Sequence, residues 1–233
     1  ASALVLDDYR IDEVYQLILR DHGMKWLQFE ARNDRPVWAN LVVNASPDAT
    51  VGEYRNALKK KGATSVLAGP KYAILRPEFR SYPEHRPRDS ALIMFGGGDD
   101  CGGLALSLNA LEQCSAWAGP IKIISGRHNP GIHNIKSILK TYKREVKLLV
   151  DPPDVAKQMR TSKFGIIAGG TITYEANCCA LPVVMIALAE NQVRQCIAWQ
   201  KRGVGHFLGR LDNVKPVTIC HAVAELAGRR WAC

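Results

Sequence analysis

Aromatic residues are scarce in this 233-residue chain, at 7%, and its seven cysteines contain no C-x-x-C pair. An odd cysteine count without metal-type spacing argues against both a disulfide framework and a zinc site. Long apolar runs are also lacking. The longest, Leu181–Ala189, is far short of the ~20 residues that cross a bilayer. No basic-then-apolar leader and no low-complexity tract stands out. Unpaired thiols without a leader or a span predict a cytoplasmic protein. Acidic residues are in deficit, 22 against 31 Lys and Arg, for a net charge of +9. Such an excess suits an anionic partner, whether nucleotide, phosphate, nucleic acid or membrane surface. Basic residues are not interleaved with aromatics on one face, so nucleic acid is the weakest of these readings.

What is present is ordinary globular material, 47% hydrophobic and 23% charged. Short strand-like runs alternate with helix-period segments. In the first part, strands are expected at Ala3–Leu6, Lys25–Phe29, Leu41–Val43 and Ser65–Ala68, with helices at Ile11–Arg20 and Glu53–Lys61. The three lysines Lys59-Lys60-Lys61 then read as dipole-favoured residues at a helix end, before Gly62. Arg80–Ser90, rich in charge and holding Pro83 and Pro87, reads as a linker.

Past the linker the alternation is cleaner. Strands are expected at Ala91–Phe95, Ile121–Ser125, Val146–Val150, Phe164–Ala168 and Val183–Ile186. Helices are expected at Leu104–Cys114, Ile132–Tyr142, Asp154–Thr161, Thr173–Ala180, Val193–Lys201 and Val217–Ala227. Strands alternating with helices point to βαβ units and parallel sheets. The expected class is therefore α/β, with two Rossmann-like domains over 1–83 and 84–233. The first is short for its type, which predicts that its beginning is absent.

Ligands in such folds bind beyond the carboxyl ends of the strands. Two glycine turns sit there. Gly96-Gly97-Gly98-Asp99-Asp100 follows one strand and precedes a helix; it reads either as a phosphate cradle or as a tight turn without a ligand. It is neither a Walker loop nor a full G-x-G-x-x-G. Gly169-Gly170-Thr171-Ile172-Thr173-Tyr174-Glu175 is the second. Its amides and the hydroxyls of Thr171 and Thr173 suit a pyrophosphate, and Glu175 suits two ribose hydroxyls or, more simply, the helix dipole. Glu190-Asn191-Gln192 offers either sugar or phosphate contacts or a helix cap. Asp7-Asp8-Tyr9 closes the first strand at the ligand-facing rim. The six histidines are scattered, Asp99-Asp100 alone makes no metal site, and no cofactor is implied.

These segments together resemble the UDP-2,4-diacetamido-2,4,6-trideoxy-β-L-altropyranose hydrolases of the pseudaminic acid pathway, relatives of MurG-type glycosyltransferases with GT-B architecture. Leu4–Tyr9 is similar to the family's strand ending in Asp-x-Tyr, and Lys71–Phe79 to its Tyr-Ala-Leu-x-Arg-x-Glu-Phe segment. Phe95–Asp99, Gly169–Glu175 and Glu190-Asn191-Gln192 match its Gly-Gly-x-Asp, diphosphate and Asn-Gln motifs. The resemblance implies a GT-B-like fold and a hydrolase that removes UDP from a UDP-linked diacetamido-trideoxy sugar. It places Gly96, Gly97, Gly98, Gly169, Gly170, Thr171 and Glu175 at the nucleotide, Asn191 and Gln192 at the sugar or phosphate, and Tyr9 at the chemistry. The family's base is an upstream Gly-x-x-His histidine that no residue here matches, and Gln28-Phe29-Glu30-Ala31 replaces its usual pair of aspartates. Two alternatives follow from the same fold: a GT-B glycosyltransferase using a UDP-sugar, or a silent nucleotide-sugar-binding module of a larger protein.

Overall fold

The computed structural model describes residues 3–8, 10–30, 34–59, 63–80 and 87–228. The chain divides into two units, Ala1–Ile74 and Leu75–Cys233.

The first unit is built on a parallel four-stranded sheet in the order β1-β2-β3-β4, formed by β1 (Leu4–Leu6), β2 (Trp26–Phe29), β3 (Leu41–Asn44) and β4 (Ser65–Ala68). Its core gathers Trp26, Val37, Ala39, Val42, Tyr54 and Ala57. Helix α1 (Glu13–Asp21) is capped by Asp12, whose carboxylate accepts from the Tyr15 amide at 2.8 Å. Gly23, in the left-handed region at φ +67°, turns the chain out of it. Gln16 is the helix's buried residue, and polar contacts hold it there: its Nε2 donates to Pro36 O at 3.2 Å and its Oε1 accepts from the Trp38 amide at 2.9 Å.

The helix expected over Glu53–Lys61 is not formed. Val51–Tyr54 makes one 3-10 turn and the chain then leaves the helix, with Leu58 in a β-bridge to Val37. Tertiary bonds explain the difference. The Tyr54 hydroxyl donates to Glu30 O and accepts from Asn44 Nδ2, and Ala57 O accepts from the Val37 amide at 2.9 Å. Lys60, Lys61 and Gly62 lie outside the described residues, and Lys59 is in no helix whose dipole it could complement.

The second unit carries a six-stranded, wholly parallel sheet of β5 (Ser90–Met94), β6 (Ile121–Ser125), β7 (Val146–Val150), β8 (Ser162–Ala168), β9 (Val183–Ala187) and β10 (Gly205–Arg210). The last of these was not expected. Its helices are α2 (Gly103–Gln113), α3 (Ile132–Leu139), α4 (Val155–Arg160), α5 (Ile172–Cys178), α6 (Glu190–Lys201) and α7 (Pro216–Gly228). Every residue of β5 and β9 is buried, as continuous apolar strands covered on both faces must be. Strand order is β10-β9-β8-β5-β6-β7. The chain winds outward from β5 to β7, returns to the centre at β8, and winds the other way. The direction therefore reverses between β5 and β8, and that reversal is where doubly wound sheets open a crevice.

The units meet in sequence before the expected 83/84 boundary. Residues just past Ile74 are tied into the second unit: Arg160 Nη2 donates to Glu78 O at 3.0 Å, and Arg76 pairs with Glu175. Most of the expected linker, 81–86, lies outside the described residues. Among the described residues no helix is long and apolar enough to cross a membrane.

Candidate functional site

Both glycine turns leave the carboxyl ends of the strands that flank the reversal. After β5 the chain runs through Phe95 to Gly96, whose φ of +101° is open to glycine at little cost. The loop is then fixed from below. Asp100, 2% exposed, accepts from the Leu104 amide at 2.8 Å and from Asn129 Nδ2 at 2.7 Å; that same amide nitrogen donates to Ser125 Oγ at 3.0 Å. A Cβ on Gly126 would collide with the Gly97 carbonyl, so the loop after β6 packs directly on the first glycine turn. Asp99 and Asp100 thus shape the loop: Asp99 Oδ1 accepts from the Cys101 amide at 2.8 Å. Among the described residues no group of acids, histidines or cysteines is arranged to hold a metal ion.

The second turn, between β8 and α5, is held from α6. Gln195 Nε2 donates to the carbonyls of Gly169 and Gly170 and to Thr173 Oγ1, each at 2.9 Å. Trp199 Nε1 donates to the same Thr173 oxygen at 2.9 Å, and that hydroxyl donates to Gly170 O at 2.8 Å. Thr173 is fully buried. Its hydroxyl therefore serves the turn and does not face a ligand, contrary to expectation. Gly169 is pressed against Cys196 and the Gln192 side chain, where any Cβ would clash. Gln192 Oε1 in turn accepts from the Leu188 amide at 2.9 Å.

Between the two turns lies a cavity of about 280 Å³. Its walls include Gly96 and Gly97 from one turn, Gly170 and Thr171 from the other, and apolar Met94, Phe95, Ile172 and Leu188. Gln192 closes one side, while Arg76 and Glu175 are the two charged residues of the wall. The Glu175 side chain is only 13% exposed, and burial pushes its carboxyl above the ordinary range although Arg76 pulls it down. Arg76 Nη2 lies 3.2 Å from Glu175 Oε1 and Nη1 lies 3.0 Å from Glu78 Oε1.

The site residues named from the sequence distribute unevenly. Gly96, Gly97, Gly170, Thr171, Glu175 and Gln192 stand in one wall. Gly98 is exposed beside it, Gly169 lies behind it, and Asn191 is exposed at the start of α6 outside it. Tyr9 lies outside the described residues, and of the aspartates before it Asp8 is a partly exposed partner of Arg10. None of the five described histidines lines the cavity. Sequence reading missed Arg76 and Gln195. The first belongs to a segment noticed only as a motif, and the second carries no local signal at all.

No family profile matches the chain. Among curated proteins it is 23% identical over 220 residues to the spore coat polysaccharide biosynthesis protein SpsG of Bacillus subtilis (strain 168), covering 92% of this chain and 63% of that protein. It is 25% identical over 203 residues to the UDP-2,4-diacetamido-2,4,6-trideoxy-beta-L-altropyranose hydrolase of Campylobacter jejuni subsp. jejuni serotype O:2, covering 86% of this chain and 71% of that one. The crystal structure of Acinetobacter baumannii MurG superposes with a TM-score of 0.64 at 16% identity, over 97% of this chain and 67% of its own. The chain resembles the UDP-diacetamido-trideoxy-altropyranose hydrolases, and its fold is GT-B. The α/β class with two parallel-sheet units, expected from the alternation of strands and helices, is thereby established. The chain spans less than two thirds of the length of SpsG.

Proposed function

We propose that the second unit binds the nucleoside diphosphate of a UDP-sugar and that the protein hydrolyses such a sugar nucleotide, releasing UDP, in nonulosonic acid synthesis. One observation carries the binding reading. A cavity bounded by two glycine turns opens at the reversal point of a parallel sheet, with a largely buried carboxylate in its wall. Backbone amides of glycine turns suit the diphosphate, and Glu175 suits the paired ribose hydroxyls. Gln192, at the other side of the cavity, suits the β-phosphate or the sugar. The similarity to a protein named as a UDP-sugar hydrolase supports hydrolysis over transfer. In that reading Tyr9 assists the attacking water. A phenol with a pKa near ~10 cannot readily take its proton at neutral pH, so Tyr9 orients and a separate base is required.

Calorimetric titration with UDP, UMP and CMP tests the binding. UDP should bind more tightly than UMP, and both more tightly than CMP. A polypeptide running from Leu75 to Gly228 should keep the UDP affinity of the whole chain. If it folds and does not bind, the nucleotide site has been assigned to the wrong unit. Release of UDP from a UDP-linked diacetamido-trideoxy sugar without an added acceptor separates a hydrolase from a transferase.

A further inference from the structure

Arg76 is bound to both neighbouring carboxylates at once. One nitrogen lies 3.0 Å from Glu78 Oε1 and another 3.2 Å from Glu175 Oε1, while the guanidinium carbon rests 5.2 Å from the centre of the Phe79 ring. Glu78 and Phe79 belong to the 3-10 turn Pro77–Phe79 that directly follows Arg76, and Phe79 is buried. That turn is anchored from α4, where Arg160 Nη2 donates to Glu78 O at 3.0 Å. Arg76 is thus placed by local structure, and its reach to Glu175 spans 99 residues of sequence.

We propose that Arg76 is a positioning residue of the nucleotide site: held by Glu78 and the Phe79 ring, it keeps Glu175 ionised and turned for the ribose hydroxyls. The proposal rests on the nucleotide reading above. Its positive charge is already shared by two carboxylates, which disfavours Arg76 as the counter-ion of the diphosphate. Its planar fork serves two acceptors in fixed directions, as a lysine head cannot. An exposed pair of this kind would contribute little. Here one partner is mostly buried, and an unpaired carboxylate in that position would take up a proton more readily. Arg76 engages Oε1, which leaves Oε2 for a ligand. A protonated Glu175 would lose its charge-assisted acceptance of ribose hydroxyls.

The charged and titratable groups that act on Glu175 are Arg76 and Glu78 from the 75–79 segment and the thiols of Cys178 and Cys179 at the end of its own helix, which Arg160 of α4 faces in turn. Burial pushes both thiols up, so they stay protonated across the range tested. Arg76→Met should weaken UDP binding by roughly tenfold at pH 8, the scale of one hydrogen bond to a charged group. The loss should deepen as the pH falls towards 5.5, because removing Arg76 lifts Glu175 further. The terminal phosphate of UDP titrates near ~6 in both proteins, so the difference between the two curves belongs to the protein.

The deciding experiment is a double-mutant cycle by calorimetry on the whole chain: wild type, Arg76→Met, Glu175→Gln and the double variant, each titrated with UDP from pH 5.5 to 8. With Gln at 175, Arg76→Met should cost under about twofold, because the two residues act as one unit. Arg76→Lys should restore part of the pH profile without the full affinity, and it serves in the same cycle if the Met variant does not fold. An undiminished loss in the Glu175→Gln background, or parallel pH curves for wild type and Arg76→Met, would overturn the proposal while leaving the nucleotide site standing. Absence of UDP binding by the wild-type chain would instead overturn the nucleotide reading, and this proposal with it.

Discussion

The two parallel sheets handle their surfaces differently. In the second unit, β5 and β9 are buried along their whole length, and Ile93, Phe164, Ile166 and Val184 have no exposed surface. In the first unit β1 is an edge strand whose Val5 is 68% exposed, and α1 leaves Val14 and Ile18, one turn apart, at 65% and 51%. Leu19 packs that helix on the core, and its fully buried residue, Gln16, is held by hydrogen bonds. The candidate nucleotide site lies wholly in the better covered unit. Its glycine turns are braced from beneath by buried polar groups, Asp100 with Asn129 under one and Gln195 with Thr173 under the other.

The largest expected effect breaks this contrast at its centre. Ile166→Ala should destabilise the second unit by about 2–5 kcal/mol, the usual cost of emptying a filled aliphatic position. Val5→Ala should change the first by no more than about 0.5 kcal/mol, as for an exposed site. Urea unfolding followed by tryptophan fluorescence reads both, with Trp26 and Trp38 reporting the first unit and Trp117 and Trp199 the second. Equal losses at the two positions would mean that the units do not differ in packing as described.

Much of this contrast was legible in the sequence. Apolar runs such as Ala91–Phe95 and Val183–Ile186 have no polar alternation, which already specifies strands covered on both faces. Strand β10 was not legible, because Gly205-His206-Phe207-Leu208-Gly209-Arg210 has two glycines and no β-branched residue; pairing with β9 makes it a strand. The false helix at Glu53–Lys61 had the converse cause. Tyr54, Ala57 and Leu58 have helical spacing, yet Tyr54 and Ala57 are held by bonds to Glu30, Asn44 of β3 and Val37 that no local window contains. The glycine turns were readable because strand, glycine and helix follow one another directly. The Arg76–Glu175 pair was not, since the two residues meet only through the fold.

Next in size is Glu175→Ala. Loss of a charged hydrogen-bond acceptor should weaken UDP binding by roughly 1.5–3 kcal/mol. Asp100 beneath the first turn and Gln195 beneath the second are untouched by the change, so the melting temperature of the second unit should not fall. Unchanged affinity would make Glu175 a residue of the helix start alone.

A smaller difference separates the two amides of α6. Gln192 lines the cavity and touches Gly169, whereas Asn191 is exposed outside the wall. Gln192→Ala should therefore weaken binding of UDP by roughly 1 kcal/mol, on the scale of one neutral hydrogen bond. Asn191→Ala should leave UDP unaffected and act, if anywhere, on the sugar of a UDP-sugar. An Asn191→Ala variant with the larger UDP deficit would reverse the placement of the two side chains.

The smallest effects are those of pH, and they run in opposite directions in the two units. Asp8, partly exposed just past β1, is held at about 2 by its hydrogen bonds from the Arg10 side chain and amide. Its folded value is below its unfolded one, so its contribution is present above the ordinary carboxylate range and is lost as the pH falls through about 2. Glu175 is the reverse case, because burial raises it. Without a nucleotide its ionised form opposes folding above its raised value, and acidification through that value relieves the opposition. Glu175→Gln, neutral at every pH, should then melt at a slightly higher temperature than wild type at pH 7 and at the same temperature once the wild-type carboxyl is protonated. The same substitution should abolish most of the UDP affinity. Thermal melts of the ligand-free protein from pH 4 to 8 check this. A Gln variant that melts lower than wild type at neutral pH would show that the pair with Arg76 outweighs the burial of the carboxylate. In that case Glu175 would be kept for stability, and the site in the covered sheet would carry no cost of its own.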